Sequence, residues 1–317
     1  MRTDQACDAF LTHCRLARNL SDHTLRAYGA DLAEFQGFFG PEKPISDYDR
    51  DDLRAFLDKL FSKRKLKAAS IKRRMACLKA MFRWLELEEV IPITPFHRLD
   101  LRIRLPKSLP KSLSATELQR LFTTALSRGL PPLFGKETFS LPAFDAATNL
   151  VALEILFETG IRIGELTALR LNDIDFETGT ITIQGKGDRE RRVFLTDRET
   201  LTRARQYLNL RKTADPTGKS QAFLLTPRGT PIKDQRLRKL LRETAKAAKI
   251  ERHITPHMLR HSTATHLLAS GVDIRFVQRL LGHQSIATTQ IYTHVEDTGL
   301  REVMENANVR RRARIDN

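Results

Sequence analysis

The stretch that most constrains the chain runs from Thr255 to Tyr292, reading T-P-H-M-L-R-H-S-T-A-T-H-L-L-A-S-G-V-D-I-R-F-V-Q-R-L-L-G-H-Q-S-I-A-T-T-Q-I-Y. Its caps and breaks divide it into three helices joined by tight turns. Thr255 caps the first, Pro256 takes its first position, and His257 and Arg260, three residues apart, share one face. Gly271 stops that helix. Asp273 caps a second with an apolar side of Ile274, Val277, Leu280 and Leu281, and Gly282 ends it with His283 at the turn. Ser285 caps a third, at whose end stands Tyr292. If the turns fold these helices back on one another, two imidazoles, a guanidinium and a phenol reach one point. Such a set suits phosphate chemistry.

Two upstream motifs add to it. In T-G-I-R-I-G-E-L-T-A-L-R, Gly160 breaks the chain and Arg162 starts the next helix, with Glu165 three residues on. An arginine fork gives two parallel hydrogen bonds to phosphate oxygens, and a helix N-terminus adds its own positive end. Glu165 is placed to orient Arg162 or a nearby histidine, although an isolated Arg-Glu pair is ordinarily a surface ion pair. Next, I-D-F-E-T-G-T-I-T-I-Q-G-K-G-D-R-E-R-R-V-F-L alternates like strands, with turns at Glu177-Thr178-Gly179 and Gly185-Lys186-Gly187-Asp188. This predicts three short antiparallel strands with Lys186 at a hairpin tip, where a lysine is commonly a solubility charge. Arg189, Arg191 and Arg192 are expected along the hairpin near phosphates.

Taken in order, T-G-I-R-I-G-E-L, G-K-G, H-M-L-R-H, L-L-G-H and the Tyr292 nine residues after His283 resemble the tyrosine recombinases of the phage integrase family, most of all its Xer-type branch. The resemblance implies a site-specific recombinase that cleaves and rejoins DNA through a 3′-phosphotyrosine. It implies Tyr292 as nucleophile, His257 as the base, Arg162 and Arg260 on the non-bridging oxygens, His283 as a further donor there, and Lys186 as the acid for the leaving 5′-oxygen. No cofactor and no metal are expected. His257, His261 and His266 share a helix without Asp, Glu or Cys at ligand spacing. The resemblance further implies a fold that is mainly α with a small antiparallel sheet: an N-terminal four-helix core-binding domain and a C-terminal α+β catalytic domain.

Charge agrees with a DNA partner. A formal net charge of +16 over 317 residues attracts polyanions, since each cation placed at a phosphate releases a condensed counterion. There is no apolar run of spanning length and no signal pattern, so the expected location is cytoplasmic, without a membrane. Cys7, Cys14 and Cys77 are odd in number without metal spacing and read as reduced, mostly buried thiols.

Residues 1–90 read as helical throughout and form the expected clamp. Ser21 caps a helix stopped at Gly40-Pro41, another runs from Asp51 to about Phe61, and Ser70 to Leu87 carries a core stripe of Ile71, Met75, Leu78, Met81, Phe82 and Leu85. A charge run is ordinarily a solvated face, but Lys72, Arg73, Arg74, Lys79 and Arg83, preceded by Lys63-Arg64-Lys65-Leu66-Lys67, favour DNA. Trp84 reads as core. Residues 91–112 are the linker, proline-rich with Arg98, Arg102, Arg104, Lys107 and Lys111. Residues 113–299 form the catalytic domain, opened by the capping box S-A-T-E at Ser114. Ser127 to Asp145, with Pro131, Pro132, Gly135 and Pro142, reads as irregular and as an insertion relative to the Xer-type pattern. Helices are expected over Leu201–Leu210 and Leu237–Ala248, the latter presenting Arg238 and Arg242 to DNA. Of the other tyrosines, Tyr28 and Tyr207 fall on helical stripes and Tyr48 in a polar loop.

Residues 300–317 form a tail whose stripe of Leu300, Val303, Met304 and Ala307 fits a neighbouring subunit in trans or its own domain. Strand exchange implies a homotetramer on two duplexes bearing short inverted repeats, monomeric when free, with an accessory protein or partner recombinase as a further candidate. The setting is integration or excision of a mobile element, or chromosome-dimer resolution. Two rivals are a type IB topoisomerase-like activity and a non-catalytic DNA-binding regulator.

Overall fold

The computed structural model describes residues 1–97, 99, 101, 103, 112–135, 140–184, 190–282, 304–305 and 307. Lys186, Arg189, His283, Tyr292 and the linker cations Arg98, Arg102, Arg104, Lys107 and Lys111 lie outside them. The chain divides into two units, 1–108 and 109–317. Among the described residues no helix is long and apolar enough to cross a membrane.

The first unit is built on four helices, α1 (Thr3–Leu16), α2 (Asp22–Phe39), α3 (Arg50–Asp58) and α4 (Ala68–Leu87). Local chemistry sets their ends. Ser21 Oγ accepts from Thr24 N to start α2, which Gly40 stops at φ +92°; Asp49 accepts from the amides of Asp51 and Asp52 to start α3. Phe35 of α2 is fully buried, with the rings of Phe39, Tyr48, Phe56 and Phe82 at 5.0–6.1 Å. Tyr48 therefore belongs to the core and not to a polar loop. The chain after α2 turns its ring inward, and its buried hydroxyl is satisfied by Thr3 Oγ1 at 2.9 Å. Trp84 stacks on His13 and packs against this core. All three cysteines are free and buried. Ile91 and Phe96, within the proline-rich stretch read as linker, are also buried in this unit.

The second unit is organised around α6 (Leu141–Thr159), which is buried on every side from 147 to 159. It packs against α5 (Ala115–Leu133), α8 (Arg198–Ala214), α9 (Asp234–Ala247) and α10 (Pro256–Ala269). Most of the irregular stretch expected after Ser127 is helix. Gly129 permits a close approach where a breaker was expected: a Cβ there would lie 2.7 Å from Leu150 Cβ on α6. Pro131 and Pro132 occupy the last turn, so the hydrogen bonds they forgo are at the end of the helix and not in its middle. The predicted sheet is present, with β1 (Ile174–Asp175), β2 (Thr180–Gln184) and β3 (Glu190–Phe194) in antiparallel order 1-2-3. Its register pairs Ile181 with Val193 and Ile183 with Arg191. Met304 and Ala307 of the tail stripe are buried in this chain's own core.

Candidate active site

The site is assembled where α6 ends. Gly160 caps that helix in the left-handed region at φ +65°, and its missing side chain leaves room for Leu281, whose Cδ2 would otherwise sit 2.7 Å from a Cβ. Leu281 is the last residue of α11 (Ile274–Leu281), started by Asp273 and ended by Gly282 at φ +61°. Thr263 Oγ1 of α10 donates to Phe157 O of α6 at 2.6 Å, and Thr255 caps α10 as the sequence predicts.

Arg162 stands at the N-cap of α7 (Ile163–Ala168), two residues after Gly160. Its amide donates to Glu165 Oε2 at 2.7 Å and its Nη1 to Oε1 at 3.0 Å, so the carboxylate fixes both ends of the residue. Its Nη2 donates to Gly282 O at 3.1 Å, and the side chain is 42% exposed. Arg260 of α10 is 6% exposed, donating to Gly160 O at 2.6 Å and to Leu281 O. Burial, and then repulsion from Arg162, push its pKa down to about 10.

His257 lies on α10 three residues before Arg260, at the surface. Its pKa is lowered by desolvation first, and then by the charges of Arg238, Arg260 and Arg162. The neutral imidazole is thereby favoured, the form that can take a proton. Glu165, by contrast, is held below the usual carboxylate range by Arg191 and Arg162, which outweigh its desolvation. Three guanidinium groups act on His257, those of Arg238, Arg260 and Arg162, with Arg191 beside Arg260, against the carboxylates of Glu165 and of Asp234, which lies 3.9 Å from Arg238. The surplus is positive and suits a phosphodiester. Among the described residues no group of His, Cys, Asp and Glu is placed to hold a metal.

Residues 112–298 match the phage integrase family and residues 7–89 its N-terminal SAM-like domain. The chain belongs to the phage integrase family. Its activity is accordingly the cleavage and religation of DNA strands in site-specific recombination. A tyrosine recombinase of Agathobacter rectalis is 34% identical over 306 residues, 96% of either chain, and the tyrosine recombinase XerC of Oceanobacillus iheyensis is 35% identical over 299 residues, 93% of either. Among solved structures, XerH recombinase bound to a palindromic difH substrate in a post-cleavage complex superimposes with a TM-score of 0.67 at 26% identity, over 91% of this chain and 81% of that one.

Within the family frame, the structure brings together four of the expected site residues: Arg162, Glu165, His257 and Arg260. Arg238 of α9 joins them through its effect on His257. Arg242 is exposed further along α9, its Nε on Arg238 O at 3.3 Å. In the first unit the α4 cations divide. Arg73 makes a two-pronged bond to the buried Asp31, and Arg74 binds Glu34 at 2.8 Å, so both are held against α2. Lys72 and Lys79 are exposed without an acidic partner among the described residues. Arg191, expected along the hairpin near phosphates, is engaged by a carboxylate of its own chain. It pairs opposite Ile183 on the sheet's inner side, and its guanidinium turns to Glu165, with N···O distances of 2.9 and 2.7 Å. Strand alternation with Val193 was the signal for that inward side.

Proposed function

We propose that Tyr292 attacks the scissile phosphate in this chain. The phenol oxygen forms the new P–O bond, the bond to the 5′-oxygen breaks, and a 3′-phosphotyrosine results. His257 takes the phenolic proton, Lys186 supplies one to the departing 5′-oxygen, and Arg162 and Arg260 with His283 bear the charge on the non-bridging oxygens. The observation that carries this reading is the joint placement of Arg162 and Arg260 at the end of α11, beside an imidazole whose pKa is lowered by desolvation and by neighbouring guanidinium groups. The order of the motifs supports the roles of Lys186, His283 and Tyr292. The phosphotyrosine conserves the bond energy, so a 5′-hydroxyl of a second duplex reverses the step without a nucleotide cofactor.

The partner in this reading is double-stranded DNA with short inverted repeats, bound by four protomers on two duplexes. The XerH relative is solved on a palindromic DNA substrate, which supports a repeat of that kind. Lys72, Lys79, Arg238, Arg242 and Arg189 are the proposed DNA contacts, with Arg73 and Arg74 reaching it only by leaving their carboxylates. The biological setting is mobile-element integration and excision or chromosome-dimer resolution, and the recovered target sequence separates the two.

Covalent capture tests this. The protein and Tyr292→Phe are expressed in the source cells, denatured, and the protein-linked DNA is sequenced. Recovery from the wild type alone, at a short inverted repeat, is expected, with DNA affinity of the variant within about twofold. Equal recovery, or none from either under conditions where the protein binds DNA, overturns the assignment. Joined products from two sites, absent with a single-duplex topoisomerase, complete the test.

A further inference from the structure

The carbonyl end of α11 is held by guanidinium groups from three different elements. Arg191 of β3 donates from Nε to Leu280 O at 3.3 Å, Arg260 of α10 donates to Leu281 O, and Arg162 ahead of α7 donates to Gly282 O at 3.1 Å. A helix leaves its last carbonyls without intrahelical donors and with partial negative charge, so cations are natural partners there. Here three successive carbonyls receive one each. Directly after them the chain continues to His283 and, nine residues later, Tyr292.

Arg162 and Arg191 share two attachments, to Glu165 and to this helix end, yet their exposure separates their tasks. Arg162 is 42% exposed, and the bonds just described use two of the five guanidinium N–H groups, leaving the others for a ligand. Arg191 is 17% exposed, with both terminal nitrogens on the Glu165 carboxylate and Nε on Leu280 O. Gly282 ends α11 in the left-handed region at φ +61°, with the Arg191 guanidinium packed against it. The enclosed arginine serves the framework, and the open one serves the phosphate.

We propose that Arg191 is a positioning residue for DNA strand cleavage: it holds Glu165 on Arg162 and fastens the end of α11, and so the start of the segment carrying His283 and Tyr292, to β3. This rests on the roles given above to Arg162 and Tyr292.

The test is single-turnover formation of the tyrosyl-DNA adduct on the site recovered by covalent capture, with protein in excess, alongside DNA affinity. Arg191→Ala is expected to slow adduct formation by about 10- to 100-fold with affinity changed less than about threefold, as a misplaced rather than a missing contact would. Arg191→Lys recovers little, because a point charge cannot span both carboxylate oxygens. Combining Arg191→Ala with Glu165→Gln gives a loss close to that of the slower single variant, the two side chains acting as one unit. A wild-type rate for Arg191→Ala, a loss in affinity alone, full rescue by lysine, or losses that multiply each overturn the proposal. If Arg191→Ala does not fold, as judged by circular dichroism, Arg191→Lys and Glu165→Gln decide it: both must be slow with unchanged melting. Failure of the wild type to form an adduct counts instead against the role of Tyr292.

Discussion

Replacing Gly160 by alanine probes the joint on which the site is hung. The residue sits at φ +65°, where an L-residue is strained by about 1–2 kcal/mol. The added methyl also meets Leu281 Cδ2 at 2.7 Å and Thr263 Cγ2 at 3.5 Å, both in residues buried against α6, and overfilling of that kind costs about 1–3 kcal/mol. Together the loss is about 2–5 kcal/mol. Gly271→Ala supplies the control, since it has φ +86° but open space within 4 Å, and its cost is the strain alone, about 1–2 kcal/mol. Urea unfolding of the full chain followed by circular dichroism measures both variants. The single tryptophan, Trp84, belongs to the first unit, so its fluorescence reports that unit separately and is expected to keep its midpoint. With a slope near 2 kcal/mol per molar, Gly160→Ala moves the midpoint of the second unit down by about 1–2.5 M. Equal costs for the two glycines would refute the packing argument and leave only backbone strain. A shifted tryptophan midpoint would show that the effect is not confined to the second unit.

Two titrations follow from the buried and crowded groups. His257 has its folded value below the ordinary imidazole pKa of about 6.5, so its neutral form is favoured and its contribution to stability is lost as pH falls through that lowered value. Ring proton resonances are expected to show a midpoint below 6.5 in the free protein and an upward move when DNA brings a phosphate close; a midpoint at or above 6.5 without DNA would refute this. Glu158 is pushed up to about 7 by burial, despite bonds from Thr196 and Asp197 to one of its oxygens. The native state then holds its proton more tightly than the unfolded chain, so this contribution is complete below about pH 4 and is lost as pH rises through 7. Glu158→Gln, which keeps the accepting oxygen, should gain on the order of 2 kcal/mol relative to wild type between pH 5 and pH 8, and a constant difference in unfolding free energy would refute it.

Local chemistry made much of this molecule readable. Ser21, Ser114, Thr255 and Asp273 each cap a helix, and Gly40, Gly160 and Gly282 each end one, because these signals act within a few residues. The alternation around β2 and β3 was legible for the same reason. Tertiary contacts were less so. Gly129, Pro131 and Pro132 look like breakers until the partner helix α6 is known, and only then does the glycine become a contact. The basic face of α4 gave no hint that Asp31 and Glu34 on α2 would take up Arg73 and Arg74. The Arg162–Glu165 link was visible because its partners are three residues apart, whereas the Arg191–Glu165 link spans 26 positions and needs the folded sheet.

The enclosure of α6 bears on how the molecule can be altered. A helix with a solvent face absorbs sequence change on that face, but from 147 to 159 α6 has none. Because α5, α8, α9 and α10 all pack on it, a volume change at Leu153 or Leu156 is passed to several neighbours at once. The outer faces of α4 and α9, which carry the proposed DNA contacts, can be varied without touching α6, since a new side chain there meets solvent.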